Sequence, residues 1–192
     1  MGDGRRAMGF IDFENINIPA RQQFGMVRLD FKSLANLMLK DYLRVGCTVY
    51  LPDEMKRLSR EIGKQGLETV LVSPGKSVDG RLILDLLVNA QKGNFDIAVI
   101  ASGDRDYVKV VQEVQQLGKK VEIVSFSSNL GPGLRSVAGE CMILDEHASE
   151  FVKKPNTYKC DSCGKDFALP FKLYENQLPA LCRDCYKSKK RP

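Results

Sequence analysis

The chain has 192 residues, 43% of them hydrophobic and 28% charged, with a formal net charge of +5 at pH 7 and six cysteines. Such a length suits one domain of ordinary size plus a small module, and the composition is that of a globular protein with no low-complexity tract. No run approaches the ~18 apolar residues of a membrane span, and the amino-terminal MGDGRRAMGF lacks a signal-peptide core, so a cytoplasmic protein with no membrane role is expected.

Taken in order, Gly9–Phe13 reads as a short apolar strand that ends on Asp12, with Glu14, Asn15 and Pro19 in the loop beyond. If the strand continues, Glu14 points away from Asp12. The spacing of Leu34, Leu37, Met38 and Tyr42 predicts a helix over Phe31–Leu43. Cys47–Leu51 is a second strand, Asp53–Lys64 a surface helix closed before Gly66, and Thr69–Val72 a third strand. After the loop Ser73-Pro74-Gly75-Lys76, Asp79–Ala90 forms a helix with Leu82, Ile83, Leu86, Leu87 and Ala90 on one face. Next comes a strand–turn–helix–strand unit: Ile97–Ala101, the turn Ser102–Asp106, a helix to Gln116 closed by Gly118, and Val121–Val124. A Gly/Ser loop over Ser127–Gly133, a short helix and a strand Cys141–Leu144 complete this part. Strands alternate with helices throughout. The fold class expected is therefore α/β: a three-layer α/β/α sandwich around a mostly parallel sheet, joined by right-handed crossovers.

Charge is divided unevenly. Residues 1–150 hold 19 Lys and Arg against 20 Asp and Glu, whereas residues 151–192 hold 10 against 4. The basic end suits a polyanionic partner or serves only solubility, and four thiolates with a bound metal would offset about two of its charges. Composition changes near Glu150, so the expected organisation is a domain over 7–150, a linker over 151–157 and a cysteine module over 158–187.

In a parallel sheet the carboxyl ends of the strands share one edge. Asp12 after strand one, Asp79 after strand three, and Asp104 and Asp106 after strand four should thus converge on one crevice. Gathered acids repel one another unless a cation sits between them, and hard oxygen ligands suit Mg²⁺ or Mn²⁺. Such an ion can activate water and hold a phosphodiester. Each acid has a simpler reading: Asp79 and Asp104 as helix caps, and Asn15 as an Asx-turn residue instead of a group holding a metal water or a phosphate. Asp85, six positions beyond Asp79, is either a supporting group or a solvated helix acid. His147 is expected at the surface, and Cys47 and Cys141 as packed thiols. There is no G-x-G-x-x-G or P-loop motif, which argues against dinucleotide or nucleoside-triphosphate binding.

Three segments carry a family resemblance: Phe10-Ile11-Asp12-Phe13-Glu14-Asn15-Ile16, Lys76-Ser77-Val78-Asp79 with Asp85, and Ser102-Gly103-Asp104-Arg105-Asp106-Tyr107. Together they resemble the signatures of the NYN domain, which includes the LabA-like proteins and belongs to the PIN-like nucleases. The resemblance spans roughly residues 7–146. It implies a Mg²⁺/Mn²⁺-dependent ribonuclease with Asp12, Asp79, Asp104 and Asp106 as the acidic centre and Asn15 beside it. Arg105 stands where a small residue is usual and Tyr107 where Phe is usual. Arg105 would contact a phosphate, or pair with an acid and dampen metal binding.

Cys160-x2-Cys163 and Cys182-x2-Cys185, separated by 18 residues, have the spacing of a zinc ribbon with four thiolate ligands. Paired disulfides are the alternative, disfavoured in a reducing compartment. So small a module needs its metal to fold, with Phe167, Phe171, Leu173, Tyr174 and Leu178 as its apolar filling. Lys165, Lys172, Arg183, Lys187, Lys189, Lys190 and Arg191 around these aromatics would grip RNA phosphates, unless the ribbon docks a protein instead. On the larger domain Lys76, Arg105, Lys109 and Arg135 would hold the strand. The function expected is metal-dependent hydrolysis of RNA with the ribbon aiding binding; the rival is a non-catalytic RNA-binding or adaptor protein on the same fold.

Overall fold

The computed structural model describes residues 4–169 and 179–189. Six strands form one sheet: β1 (Arg6–Asp12), β3 (Leu43–Pro52), β4 (Glu68–Val72), β5 (Ile97–Ala101), β6 (Lys120–Ser125) and β7 (Glu140–Ile143). Their order is β4-β3-β1-β5-β6-β7, and every neighbouring pair is parallel. The chain winds outward from β1 to β3 and β4, then returns to lay β5 on the other side of β1. The point of reversal lies between β1 and β5, so the crevice beyond their carboxyl ends is where such a sheet has room for a ligand.

Strand periodicity divides the core into two layers. In β5, whose five residues are all buried, Ile97, Val99 and Ala101 join one apolar cluster and Ala98 and Ile100 the other. β1 does the same with Ala7 and Ile11 on one side and Phe10 on the other. The first side is covered by α1 (Phe13–Phe24), α2 (Phe31–Met38), α3 (Lys56–Gly63) and α7 (Ala148–Phe151). The second is covered by α4 (Val78–Gln91), α5 (Val108–Gln116) and α6 (Pro132–Val137). α4 buries Leu82, Leu86 and Ala90, a stripe at the four-residue helical spacing; α5 buries Val110, Val111 and Val114. Burying a side chain of this size stabilises by roughly 1.5–3 kcal/mol before ordering costs. The architecture is thus the expected three-layer α/β/α sandwich.

Two local expectations need correction. The segment after Asp12, read as a loop because of Pro19, is the helix α1, with Pro19 inside it. Asp12 caps the helix by accepting from the Asn15 amide at 3.2 Å, so the helix starts at once and Glu14 lies in its first turn. The helix expected to reach Leu43 ends at Met38, and Leu43 instead opens β3, where it pairs with Arg6. Tertiary pairing overrides the helical spacing of Tyr42 there.

Residues 151–157, expected as a linker, are ordered at both ends. Phe151 is fully buried, its carbonyl accepts from the Asp30 amide at 2.8 Å, and β8 (Val152–Lys153) pairs antiparallel with β2 (Arg28–Leu29). Beyond it, β9 (Asn156–Lys159) and β10 (Asp166–Leu169) form an antiparallel hairpin, and α8 (Arg183–Lys189) follows. Phe167 contributes to this module by packing on Tyr158, ring centroids 5.9 Å apart. Phe171, Leu173, Tyr174 and Leu178 lie outside the described residues, as do Lys172, Lys190 and Arg191. Among the described residues, no helix is long and apolar enough to cross a membrane.

Candidate active site

Asp12 is the last residue of β1 and only 1% exposed, which for a carboxylate demands donors. It has three. Its Oδ1 accepts from the Asn15 amide, while Oδ2 accepts from Asn15 Nδ2 at 2.8 Å and the Tyr107 hydroxyl at 3.0 Å. Asn15 is fixed in turn by Asn129 Nδ2, which donates to its Oδ1 at 3.0 Å and its backbone carbonyl at 3.2 Å. That carbonyl is free because of Pro19: a proline four residues on has no N–H to offer it. Helix start, proline and asparagine pair thus form one device that aims Asp12.

Asp79 reaches the same place from α4. Ser77 caps that helix by accepting from the Gly80 amide at 3.0 Å, which spares Asp79 the cap role. The same Tyr107 hydroxyl lies 3.1 Å from Asp79 Oδ1. Burial, and next the facing Asp12 carboxylate, push the Asp79 carboxyl up to about 6, with the Tyr107 hydroxyl acting the other way. Burial and the two carboxylates push the Tyr107 phenol upward, so it stays a protonated donor.

Asp104 and Asp106 follow β5 in a short 3₁₀ turn, Arg105–Tyr107. Asp104 does act as a cap: its Oδ1 accepts from the Asp106 amide at 3.0 Å, and its own amide donates to Ser102 Oγ at 3.2 Å. The turn is pressed against the loop after β6. A Cβ on Gly103 would stand 2.3 Å from the Asn129 carbonyl oxygen, so only glycine lets the loop that carries Asn129 approach. The Gly131 amide bonds the Gly103 carbonyl at 3.1 Å and holds the two together.

Asp12, Asn15, Asp79 and Asp104 line one cavity of about 730 Å³ at the carboxyl edge of the sheet, and Lys76 lies on its wall. Asp106 is exposed and does not line it; neither does Arg105. Two further acids do, Glu14 and Glu54. The expectation for Glu14 rested on a strand continuing past Asp12, and α1 reverses it. Glu54 was not singled out from sequence; its only signal was its place just past the end of β3. Asp85 stands outside the cavity. Its carboxylate binds Arg81 Nε at 3.0 Å and the Tyr50 hydroxyl at 3.2 Å, which ties the α4 helix to the sheet.

Five carboxylates face a single lysine across this cavity. The donor set is hard oxygen, carboxylates with the side-chain amides of Asn15, Gln22 and Asn129, which fits Mg²⁺ or Mn²⁺, ions that need only one or two carboxylates and keep several waters. Among the described residues, no three of these acids bring their oxygens within 4.8 Å of one another.

The NYN domain matches residues 6–145, most of the chain and all of the site just described. The chain belongs to the NYN domain family. Among solved structures it is similar to a protein of unknown function from Vibrio parahaemolyticus RIMD 2210633, with a TM-score of 0.65 and 18% identity, over 79% of this chain and 99% of that one. No curated protein matches the chain. NYN domains are PIN-like and of nuclease type, typically acting on nucleic acid.

Outside the NYN domain a second constellation is present. The sulfurs of Cys160, Cys163, Cys182 and Cys185 all lie within 4.8 Å of one another. Cys160 is buried at the end of the β9–β10 hairpin, and Gly164 at φ 70° closes the first knuckle by donating to the Cys160 carbonyl at 2.8 Å. The Cys182 amide donates to Cys160 Sγ at 3.4 Å; this bond and the amides of Cys163 and Ser162 bring the Cys160 thiol down to about 6. Four sulfurs so placed are compatible with tetrahedral Zn²⁺. Cys47, by contrast, is a buried thiol that burial pushes up to about 12.

Of the expected nucleic-acid contacts, Arg105 is exposed on the turn after β5, Lys109 on α5, Arg135 on α6 and Arg183 at the start of α8. His147 pairs with Glu150 at 2.9 Å, away from the cavity lining.

Proposed function

We propose that the protein is a metal-dependent ribonuclease, with Asp12, Asp79 and Asp104 holding Mg²⁺ or Mn²⁺, Asn15 beside them, and Asp106, outside the cavity lining, left without a direct ligand role. The observation that carries this reading is the shared cavity: acids from four separate strand–helix junctions face one space with a single lysine among them. A bound divalent cation would supply an activated water and charge neutralisation at the scissile phosphate. The chain's own residues do the rest. Asn15 and Tyr107 orient the buried Asp12, and Asp104 is set by the Ser102–Gly103 turn. Lys76 on the cavity wall binds a phosphate of the strand, with Arg105, Lys109 and Arg135 outside. The four thiolates hold Zn²⁺, and the ribbon with Arg183 and Lys172 adds backbone contacts to RNA. RNA is thus the proposed substrate and the cytoplasm the proposed location.

The test is incubation of the purified chain with end-labelled single-stranded and hairpin RNA in Mg²⁺, Mn²⁺ or EDTA, beside Asp104→Asn. Cleavage that needs the metal and disappears in the variant supports the reading. Cleavage that survives the substitution places the centre elsewhere, and RNA binding without cleavage in any metal identifies a binding adaptor.

A further inference from the structure

A phenol hydroxyl carries one proton, yet Tyr107 presents its hydroxyl to two carboxylates at 3.0 and 3.1 Å. The two acids come from different elements, β1 and α4, and among the described residues no backbone bond joins those elements to set their separation. Tyr107 is itself fixed. It is fully buried in the cluster under α4, α5 and α6, and its amide donates to the Asp104 carbonyl at 3.3 Å. One rigid turn therefore carries Asp104 outward into the cavity and sends a hydroxyl inward between Asp12 and Asp79. Burying a phenol in an apolar layer without a partner costs a lost hydrogen bond, so its placement is set by what it binds.

We infer that Tyr107 is a positioning residue of the metal centre: its hydroxyl fixes the spacing and orientation of Asp12 and Asp79 for a divalent cation. The inference rests on the metal-dependent reading above and deepens it. Phenylalanine at this place would fill the same volume and leave two carboxylates facing each other with no donor between them. Groups that hold metal ligands by hydrogen bonds matter through geometry, and their loss commonly costs 10–100-fold in metal affinity. In this chain the donor also crosses between elements, so it sets how far apart the ligands stand as well as how each is turned.

The experiment is Mn²⁺ binding to the full zinc-loaded chain, wild type beside Tyr107→Phe, by calorimetry and by the electron-spin resonance line shape of bound Mn²⁺. Both are measured well below the melting transition. The expected result is an affinity at least about tenfold weaker in Tyr107→Phe, with a broadened Mn²⁺ signal and unchanged zinc content. Equal affinity and line shape overturn the inference, even if the variant melts earlier, because a merely structural hydroxyl would move only the melting point. A wild type that binds no Mn²⁺ overturns the metal centre itself, and this inference with it. Should Tyr107→Phe fail to fold, Mg²⁺ titration of the wild type decides by near-ultraviolet difference absorption. A buried-tyrosine difference band that grows with Mg²⁺ supports the inference, and a flat difference spectrum at saturating Mg²⁺ overturns it.

Discussion

Asp79 is the residue whose surroundings oppose its own charge. Its carboxyl, raised from 3.8 to about 6 by burial and Asp12, binds a proton in the folded chain at pH values where the unfolded chain has already lost it. Stability of the metal-free protein should therefore fall as pH rises from about 4 through 6, and stay lower above that. Asp79→Asn removes the effect. The metal-free variant should be more stable than wild type at pH 7–8, by on the order of 1 kcal/mol once solvent screening at this half-buried site is allowed for, and the gain should vanish near pH 4. Urea melts of both proteins across that range check this; equal pH profiles would refute it. Mn²⁺ affinity of the wild type should rise over the same window, because the cation displaces the proton. The acids Asp12, Asp79 and Asp104 were legible in the sequence because each follows an apolar strand. Tyr107 was noted only as a departure from a family pattern. Its hydroxyl could be assigned no partner until the turn placed it between two elements far apart in the chain.

At the scale of elements, α1 and the loop after β6 act as one unit. Pro19 deprives the Asn15 carbonyl of its helical donor, and Asn129 takes that donor's place. Pro19→Ala restores an N–H, so Asn129→Ala should cost about 1 kcal/mol less in the Pro19→Ala background than in wild type. Thermal melts of the four proteins of that cycle measure the coupling; strict additivity would separate the two features. Gly103→Ala should be harsher. Its Cβ would collide with the Asn129 backbone, so a loss of roughly 1–3 kcal/mol is expected, together with weaker Mn²⁺ binding as Asn15 loses its anchor. The strand–helix alternation made this level of the fold readable, since β5 and the α5 stripe announce themselves by period. The first turn of α1 did not, because a proline signals a break locally and only the cap on Asp12 and the bond from Asn129 make the helix tolerable. Glu54 escaped for a related reason: the cavity wall it joins is built by strands β3 and β4, whose pairing no local signal specifies.

For the whole molecule, the parallel sheet and its two layers followed from composition and periodicity, whereas the join between NYN domain and cysteine module did not. Charge and proline content suggested a break at 151, but Phe151 is core and β8 is stitched to β2. Zinc removal should therefore loosen the chain from β9 onward and leave β8 protected. Hydrogen exchange with and without a strong chelator checks it: protection lost from Asn156 to Lys159 but kept at Phe151 and Val152 is the expected pattern. Only Lys154 and Pro155 separate β8 from β9. Two residues span about 7 Å at full stretch, and one of them is a proline with a fixed φ. Tethering of this kind acts as avidity. A ligand held by one part meets the other at a high effective concentration if its length suits the span, and gains nothing if it does not. On the proposed reading, in which cavity and ribbon hold one RNA strand, so short a leash would make the pair a gauge of ligand length as well as a grip.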